Sequence, residues 1–149
     1  MMIAVTGFND REMINRALMD RYILSYEPFN FKGDIRDFPL SVAYGEKMDA
    51  LRKRYRDYVW DAEFRDTLGA EVEVGGKHYT EYSVFERKDG RHAIVVTNDG
   101  SDRAIQATVT VASAANHSFQ CASPEHPDAV PCGTAVTIPP RSSVVLMER

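Results

Sequence analysis

The residues best suited to chemistry lie in an aromatic loop that follows a short apolar stretch. Residues 22–26, YILSY, predict a buried strand, and Glu27-Pro28 ends it because proline cannot donate to a strand ladder. Residues 29–40, FNFKGDIRDFPL, predict a loop with three phenylalanine rings. Loops that follow the carboxyl end of a strand often line a binding cleft, so these rings could face a ligand. The favoured interpretation, however, is that the rings simply cap the core.

Three carboxylates accompany the same loop, at Glu27, Asp34 and Asp37. A carboxyl group in a cleft can exchange a proton with a substrate or accept its hydrogen bonds. No Ser-His-Asp order, phosphate loop, dinucleotide fingerprint or HExxH sequence occurs to indicate another chemistry. The sequence therefore predicts no cofactor.

Cys121 and Cys132 flank a loop-like stretch, CASPEHPDAVPC. Two free thiols in a cytoplasmic protein are the favoured interpretation, although a disulfide between them would close a short, stabilising loop. His117 and His126 give the spacing H-x3-C-x4-H-x5-C. That spacing lacks a C-x2-C pair, so it indicates zinc only weakly.

Charge and length exclude several classes of protein. The chain has 149 residues and a net charge of −4, and its one basic run, at 52–56, is interleaved with carboxylates. Nucleic acid is therefore not an expected partner. No apolar run approaches the ~20 residues of a membrane span. The first ten residues lack the basic start of a signal peptide, which favours the cytoplasm.

The longest helical pattern covers residues 41–67 and divides the chain into two predicted domains, 1–67 and 68–149. Apolar residues recur at intervals of four and three, which places them on one stripe of a helix. The stripe consists of Tyr44, Met48, Leu51, Tyr55, Tyr58 and Ala62. Trp60 and Phe64 lie on the opposite side as i, i+4 neighbours. We expect the stripe to meet the preceding residues and the Trp60–Phe64 patch to be buried against the following ones.

The rest of the chain predicts a mostly β protein with an N-terminal α/β segment. Residues 10–21 have the apolar spacing of a helix, which gives the order helix, strand, long helix. After residue 68 the period changes to two, and turn residues recur every 8–12 positions, as in an antiparallel β-sandwich. The predicted strands are 71–74, 79–87, 92–97, 104–112, 118–122, 135–138 and 142–147.

Four stretches resemble the C-terminal end of glycoside hydrolases with a (β/α)8 barrel and a C-terminal β-sandwich. They are ILSYEPFNFKGDIRDFPL, AYGEKMDALRKRYRDYVWDAEFRDT, YSVFERKDGRHAIVVTN and VTIPPRSSVVL. The resemblance implies that residues 10–21 are the seventh barrel helix, 22–27 the eighth strand and 41–66 the eighth helix. The sandwich would then pack on that helix through Trp60 and Phe64.

The resemblance also implies that the first six barrel strands are absent, together with the loops that usually carry the acid and the nucleophile. We therefore expect no catalytic residue and a fragment or remnant that is inactive alone. The predicted substrate-binding residues are Tyr26, Glu27, Phe29, Phe31 and Asp34. The alternatives are a non-catalytic module that binds carbohydrate through Tyr26, Phe29 and Phe31, and an assembly module.

Strand 22–26 has no obvious parallel partner within the chain, and unpaired strand edges attract other chains. The sequence therefore predicts a homodimer formed mainly through residues 10–60, with the apolar stripe partly exposed in a lone monomer. The alternative partner is the missing barrel portion as a separate polypeptide.

Overall fold

The computed structural model describes residues 1–5, 10–27, 33–112 and 118–149, and these form four stacked layers. The layers are a two-stranded parallel sheet, a pair of helices, a six-stranded sheet and a four-stranded sheet. One apolar core joins the helices to the two-stranded and six-stranded sheets, and a second core lies between the two larger sheets. The predicted mostly β architecture with an N-terminal α/β segment is confirmed.

The N-terminal unit alternates strands with helices. Its elements are β1 (Met2–Val5), α1 (Arg11–Met19), β2 (Ile23–Tyr26), a 3₁₀ helix (Ile35–Asp37), α2 (Pro39–Arg54) and α3 (Arg56–Val59). β1 pairs in parallel with β2, from Met2 opposite Ile23 to Val5 opposite Tyr26. The prediction that strand 22–26 has no parallel neighbour is therefore wrong. β1 and β2 each have four residues, but only β2 is followed by a Glu-Pro pair that marks the end of a strand.

The long helical pattern does not form one helix. Helix α2 ends at Arg54, α3 ends at Val59, and Glu63–Phe64 form strand β3, which pairs with Glu86 and Phe85. The predicted Trp60–Phe64 patch is therefore wrong, because strand pairing overrides the helical preference of these residues. β3 also belongs to the six-stranded sheet, although it precedes the predicted domain boundary at residue 68.

The apolar stripe packs on the sandwich as well as on the residues that precede it in the chain. Tyr44, Met48, Leu51 and Tyr58 are buried in a core that also contains Phe85 and five other sandwich residues. These are Ala93, Val95, Ala122, Val145 and Met147. Tyr58 Oη donates to Glu148 O at 2.7 Å. The predicted assignment of faces is thus wrong, and most of the stripe is buried within one chain rather than partly exposed.

The sandwich begins with β3 (Glu63–Phe64) and contains nine further strands. They are β4 (Ala70–Val74), β5 (Lys77–His78), β6 (Tyr82–Glu86), β7 (His92–Asn98), β8 (Ile105–Val111), β9 (Phe119–Ala122), β10 (Val130–Cys132), β11 (Ala135–Ile138) and β12 (Ser142–Glu148). Among the described residues, one sheet has the order β10-β9-β12-β7-β6-β3 and the other β11-β8-β4-β5. β7 is buried on both faces, as predicted for a central strand.

Turn chemistry and a covalent link fix the strand register. Gly75 and Gly76 both have positive φ, 60° and 72°, and they join β4 to β5 in a two-residue hairpin. Cys121 and Cys132 form a disulfide with their Cα atoms 5.9 Å apart. The prediction of free thiols is wrong because β10, which the sequence pattern did not indicate, pairs with β9 and brings the two cysteines together.

Candidate functional site

The parallel two-stranded sheet exposes one of its faces. Val5 is buried in the core, and Leu24 and Tyr26 pack against it, so these side chains point toward the helices. Successive side chains of a strand alternate between faces, which places Met2, Ala4, Ile23 and Ser25 on the opposite face. Met2 is 61% exposed and Ile23 is 54% exposed. We call the face formed by Met2, Ala4, Ile23 and Ser25 the bare face.

Glu27 extends the bare face at the carboxyl end of β2. Its backbone N–H donates to Val5 O at 3.1 Å, so the residue is held directly beyond the ladder. Ser25 Oγ donates to Glu27 Oε1 at 2.9 Å, which directs the carboxylate over the same face. The second carboxylate oxygen has no hydrogen bond to a described residue and can accept one from a ligand. This geometry suits a carboxylate that binds a hydroxyl group.

Asp34 stabilises its own loop. Its carboxylate accepts hydrogen bonds from the backbone N–H of Arg36 and from Arg36 Nε and Nη2, at 2.8–2.9 Å. The backbone N–H of Asp34 donates to Asp37 Oδ2 at 2.8 Å, which completes a capping box on the 3₁₀ helix. The Arg36 side chain lowers the pKa of Asp34. Asp34 is therefore an ionised capping group and is not suited to donate a proton.

Tyr26 points away from the bare face and toward α2. Its hydroxyl lies so close to Gly45 that a Cβ atom there would overlap it. Burial raises the pKa of Tyr26, and the nearby carboxylates of Asp49 and Glu46 raise it further. The ring thus helps to pack β2 onto α2 in this structure.

Phe29 and Phe31 lie outside the described residues. Among the described residues, a cavity of about 10 Å³ lies between Val5, Tyr26, Glu27, Ile35 and Phe38, which is too small for a sugar ring. The structure brings Glu27 and Ser25 together and places Tyr26 and Asp34 in supporting positions.

Sequence reasoning missed a slot of about 290 Å³ between β2 and α2. Its lining includes Ile23 and Leu24 from β2, Arg52 from α2, and Trp60. The guanidinium of Arg52 lies 4.7 Å from the centre of the Trp60 ring. The side chain of Trp60 thus faces the N-terminal unit, not the sandwich. Helical spacing predicts that the Trp60 side chain faces the sandwich. Because α3 ends at Val59, Trp60 is no longer part of a helix and its side chain takes another direction.

A larger groove of about 680 Å³ opens at one end of the sandwich. Its lining includes the disulfide and the segment from Ser123 to Asp128, together with Val136 of β11. The carboxylate of Glu125 is bound by Arg11 and Ser142, and that of Asp128 by Arg54. With both thiols in the disulfide, the weak zinc pattern has no cysteine ligands. Within the described ranges, no helix is long and apolar enough to cross a membrane.

No protein-family model matches the chain, and no curated protein matches it. A solved structure that is similar is the crystal structure of a GH27 β-L-arabinopyranosidase from Geobacillus stearothermophilus. The two have a TM-score of 0.42 and 9% sequence identity over 95% of this chain. The chain spans 30% of the length of that enzyme. The likeness is distant and partial.

Proposed function

We propose that this chain is the C-terminal part of a glycoside hydrolase with a (β/α)8 barrel, and that it has no hydrolase activity by itself. The observation that carries the proposal is the β1–α1–β2–α2 unit, whose parallel strands are covered by helices on one face and bare on the other. A two-stranded parallel sheet is not a stable sheet in isolation, and parallel sheets normally have both faces covered. Six further strands would cover the bare face by closing a barrel.

The side chains of the bare face fit the inside of such a barrel. Barrel interiors are filled by layers of side chains from alternate strand positions, and active sites lie at the carboxyl ends of the strands. Met2 and Ile23 lie at the amino ends of β1 and β2, whereas Glu27 lies at the carboxyl end of β2. In a closed barrel Glu27 is the residue of this chain that contacts substrate, with Ser25 holding its carboxylate.

The expected lack of hydrolase activity follows from the number of carboxyl groups that the chain can place beside a glycosidic bond. Hydrolysis of a glycosidic bond needs two carboxyl groups, about 5–5.5 Å apart for retention or about 6.5–9.5 Å apart for inversion. Asp34 is held by Arg36, so among the described residues at the carboxyl end of β2, Glu27 is the carboxylate placed to contact a substrate. The acid and the nucleophile belong to the missing strands.

The experiment compares the purified chain with the same chain mixed with the polypeptide encoded directly upstream. Activity is measured on a panel of p-nitrophenyl glycosides that includes the β-L-arabinopyranoside. We expect no turnover by the chain alone and turnover by the mixture. In the mixture, Glu27→Gln should raise KM more than it lowers kcat, because Glu27 binds substrate without reacting. Turnover by the chain alone that disappears in Glu27→Gln would contradict the proposal.

A non-catalytic carbohydrate-binding module predicts a different result. Such a module would be retarded in a polysaccharide affinity gel in the absence of any barrel portion. Retardation that is abolished by Glu27→Gln, together with no reconstituted activity, would replace the hydrolase proposal with this alternative.

A further inference from the structure

We infer that the slot between β2 and α2 receives an acidic segment of the missing barrel portion, and that Arg52 is the residue that anchors it. This inference rests on the proposed function and identifies the surface through which the two portions bind. The slot lies beside Ile23, at the amino end of β2, and thus at the opposite end of the strand from Glu27.

The guanidinium of Arg52 is largely buried and has one distant carboxylate among the described residues. Its side chain is 10% exposed, and Asp49 Oδ1 lies 4.0 Å from Nη1. Nη2 donates to Tyr22 O at 2.8 Å, and the face of the Trp60 ring lies 4.7 Å away. Burial lowers the pKa of Arg52. Arg52 lines the slot, and the planar fork of its guanidinium fits a carboxylate in bidentate fashion.

The position of the slot fits a strand that extends the two-stranded sheet. β2, α2, α3 and Trp60 supply its described lining, and neither β1 nor α1 contributes a described residue. β1 occupies one edge of β2, and within the described ranges no strand pairs with the other edge. A strand added in parallel to that edge would begin near Ile23. The segment that leads into this strand would therefore lie against Arg52 and Trp60.

The charges of the slot favour an acidic partner. Arg52, Lys53 and Arg56 line the slot, and Asp49 is its one described carboxylate. Like charges across an interface oppose binding, whereas a complementary acidic segment favours it.

The experiment measures binding of the upstream-encoded polypeptide to the full chain by isothermal titration calorimetry. Arg52→Met should weaken binding by roughly 30-fold or more, because it removes one partner of a buried charge pair. The affinity of Arg52→Lys should lie between those of the wild type and Arg52→Met, since lysine keeps the charge but lacks the planar fork of donors. Ile23→Glu provides an independent variant at an exposed position that lines the slot, and it should also weaken binding because it places a negative charge beside the acidic segment.

Arg54→Met is the matched control. It makes the same substitution two positions along α2, where the guanidinium forms an exposed ion pair with Asp128. Surface pairs contribute little, so binding should change by less than about twofold. Thermal unfolding of each variant alone shows whether a loss of binding reflects unfolding.

The outcomes separate the inference from the proposed function. Reconstituted activity with equal affinity for the wild type and Arg52→Met would overturn the inference and leave the proposed function intact. No upstream barrel-encoding sequence, or no binding by the wild type, would overturn both. A wild-type dimer in gel filtration with light scattering that becomes a monomer in Arg52→Met would show that a second copy occupies the slot.

Discussion

Asn15 Nδ2 donates a 2.8 Å hydrogen bond to Asp99 Oδ1, and this bond joins helix α1 to the turn between β7 and β8. Tyr44 Oη donates to Asn15 Oδ1 at 2.6 Å, so α2 belongs to the same network. Asp99 Oδ2 is buried and has no hydrogen-bond partner among the described residues. Burial raises the pKa of Asp99 to about 6, against the opposing effect of the Asn15 hydrogen bond. The junction of the two halves therefore contains a carboxylate whose charge is unfavourable.

We predict that Asp99→Asn stabilises the protein above pH 6. Because the pKa of Asp99 is raised in the folded state, Asp99 contributes stability that is fully present below the ordinary aspartate pKa of 3.8. That contribution is lost as the pH rises through about 6. Asparagine keeps the acceptor for Asn15 and removes the charge. The gain at pH 7.5 should be about 1 kcal/mol, since partial hydration of the carboxylate reduces the full effect. Urea melts at pH 4, 5, 6 and 7.5 measure it.

The control for that experiment is Asp102→Asn. Asp102 lies in the same turn, but its side chain is exposed and forms a surface ion pair with Arg141. Its substitution should change the free energy of unfolding little at any of these pH values. If Asp99→Asn shows the same difference from wild type at pH 4 as at pH 7.5, the carboxylate does not titrate between these values and the prediction fails.

The sequence predicted the interior of the sandwich better than the junction. In β7 and β12, successive residues face the two cores in turn, so both faces of each strand are buried. In the sequence this arrangement is visible as the continuous, mostly apolar runs His92–Thr97 and Ser142–Met147. β1 was missed because, unlike the equally short β2, it is not followed by a proline that marks the end of a strand. At the candidate site, the sequence indicated that Glu27 follows a strand. It did not indicate Arg36 as the partner of Asp34 or Trp60 as the partner of Arg52, because both contacts depend on where helices begin and end.

We predict that Phe85→Ala is much more destabilising than Phe64→Ala. Phe85 is 0% exposed and lies in the core between the helices and the six-stranded sheet, whereas Phe64 is 39% exposed on an edge strand. The two rings touch edge to face, with centroids 5.5 Å apart. Phe85→Ala should cost about 3–5 kcal/mol in a denaturant melt. Phe64→Ala should lower the free energy of unfolding by about 1 kcal/mol, which is the contribution of an aromatic pair together with the partial burial of the ring. Equal losses would mean that Phe64 is a core residue.

We predict that Gly45→Ala destabilises the protein although alanine is the better helix former. A Cβ atom at this position would overlap the hydroxyl of Tyr26, so the Tyr26 ring would have to move from its place between β2 and α2. Overpacking of this kind costs about 1–3 kcal/mol, which exceeds the gain of about 1 kcal/mol in helix propensity. Tyr26→Phe should recover part of the loss when it is combined with Gly45→Ala. A thermal midpoint of Gly45→Ala above that of the wild type would disprove the close approach.

We predict that reduction of the Cys121–Cys132 disulfide destabilises the sandwich by about 2–3 kcal/mol, the loop-closure value for a short loop. The bond holds the edge strand β10 to β9, so its loss should also speed hydrogen exchange at the backbone amides of Val130 and Cys132. The measurement is a guanidinium melt with and without a phosphine reductant. In the double variant Cys121→Ala/Cys132→Ala, the reductant should have no effect, which separates reduction of this bond from other effects of the reagent. Equal midpoints for the oxidised and reduced wild type would mean that strand pairing alone holds β10 in place.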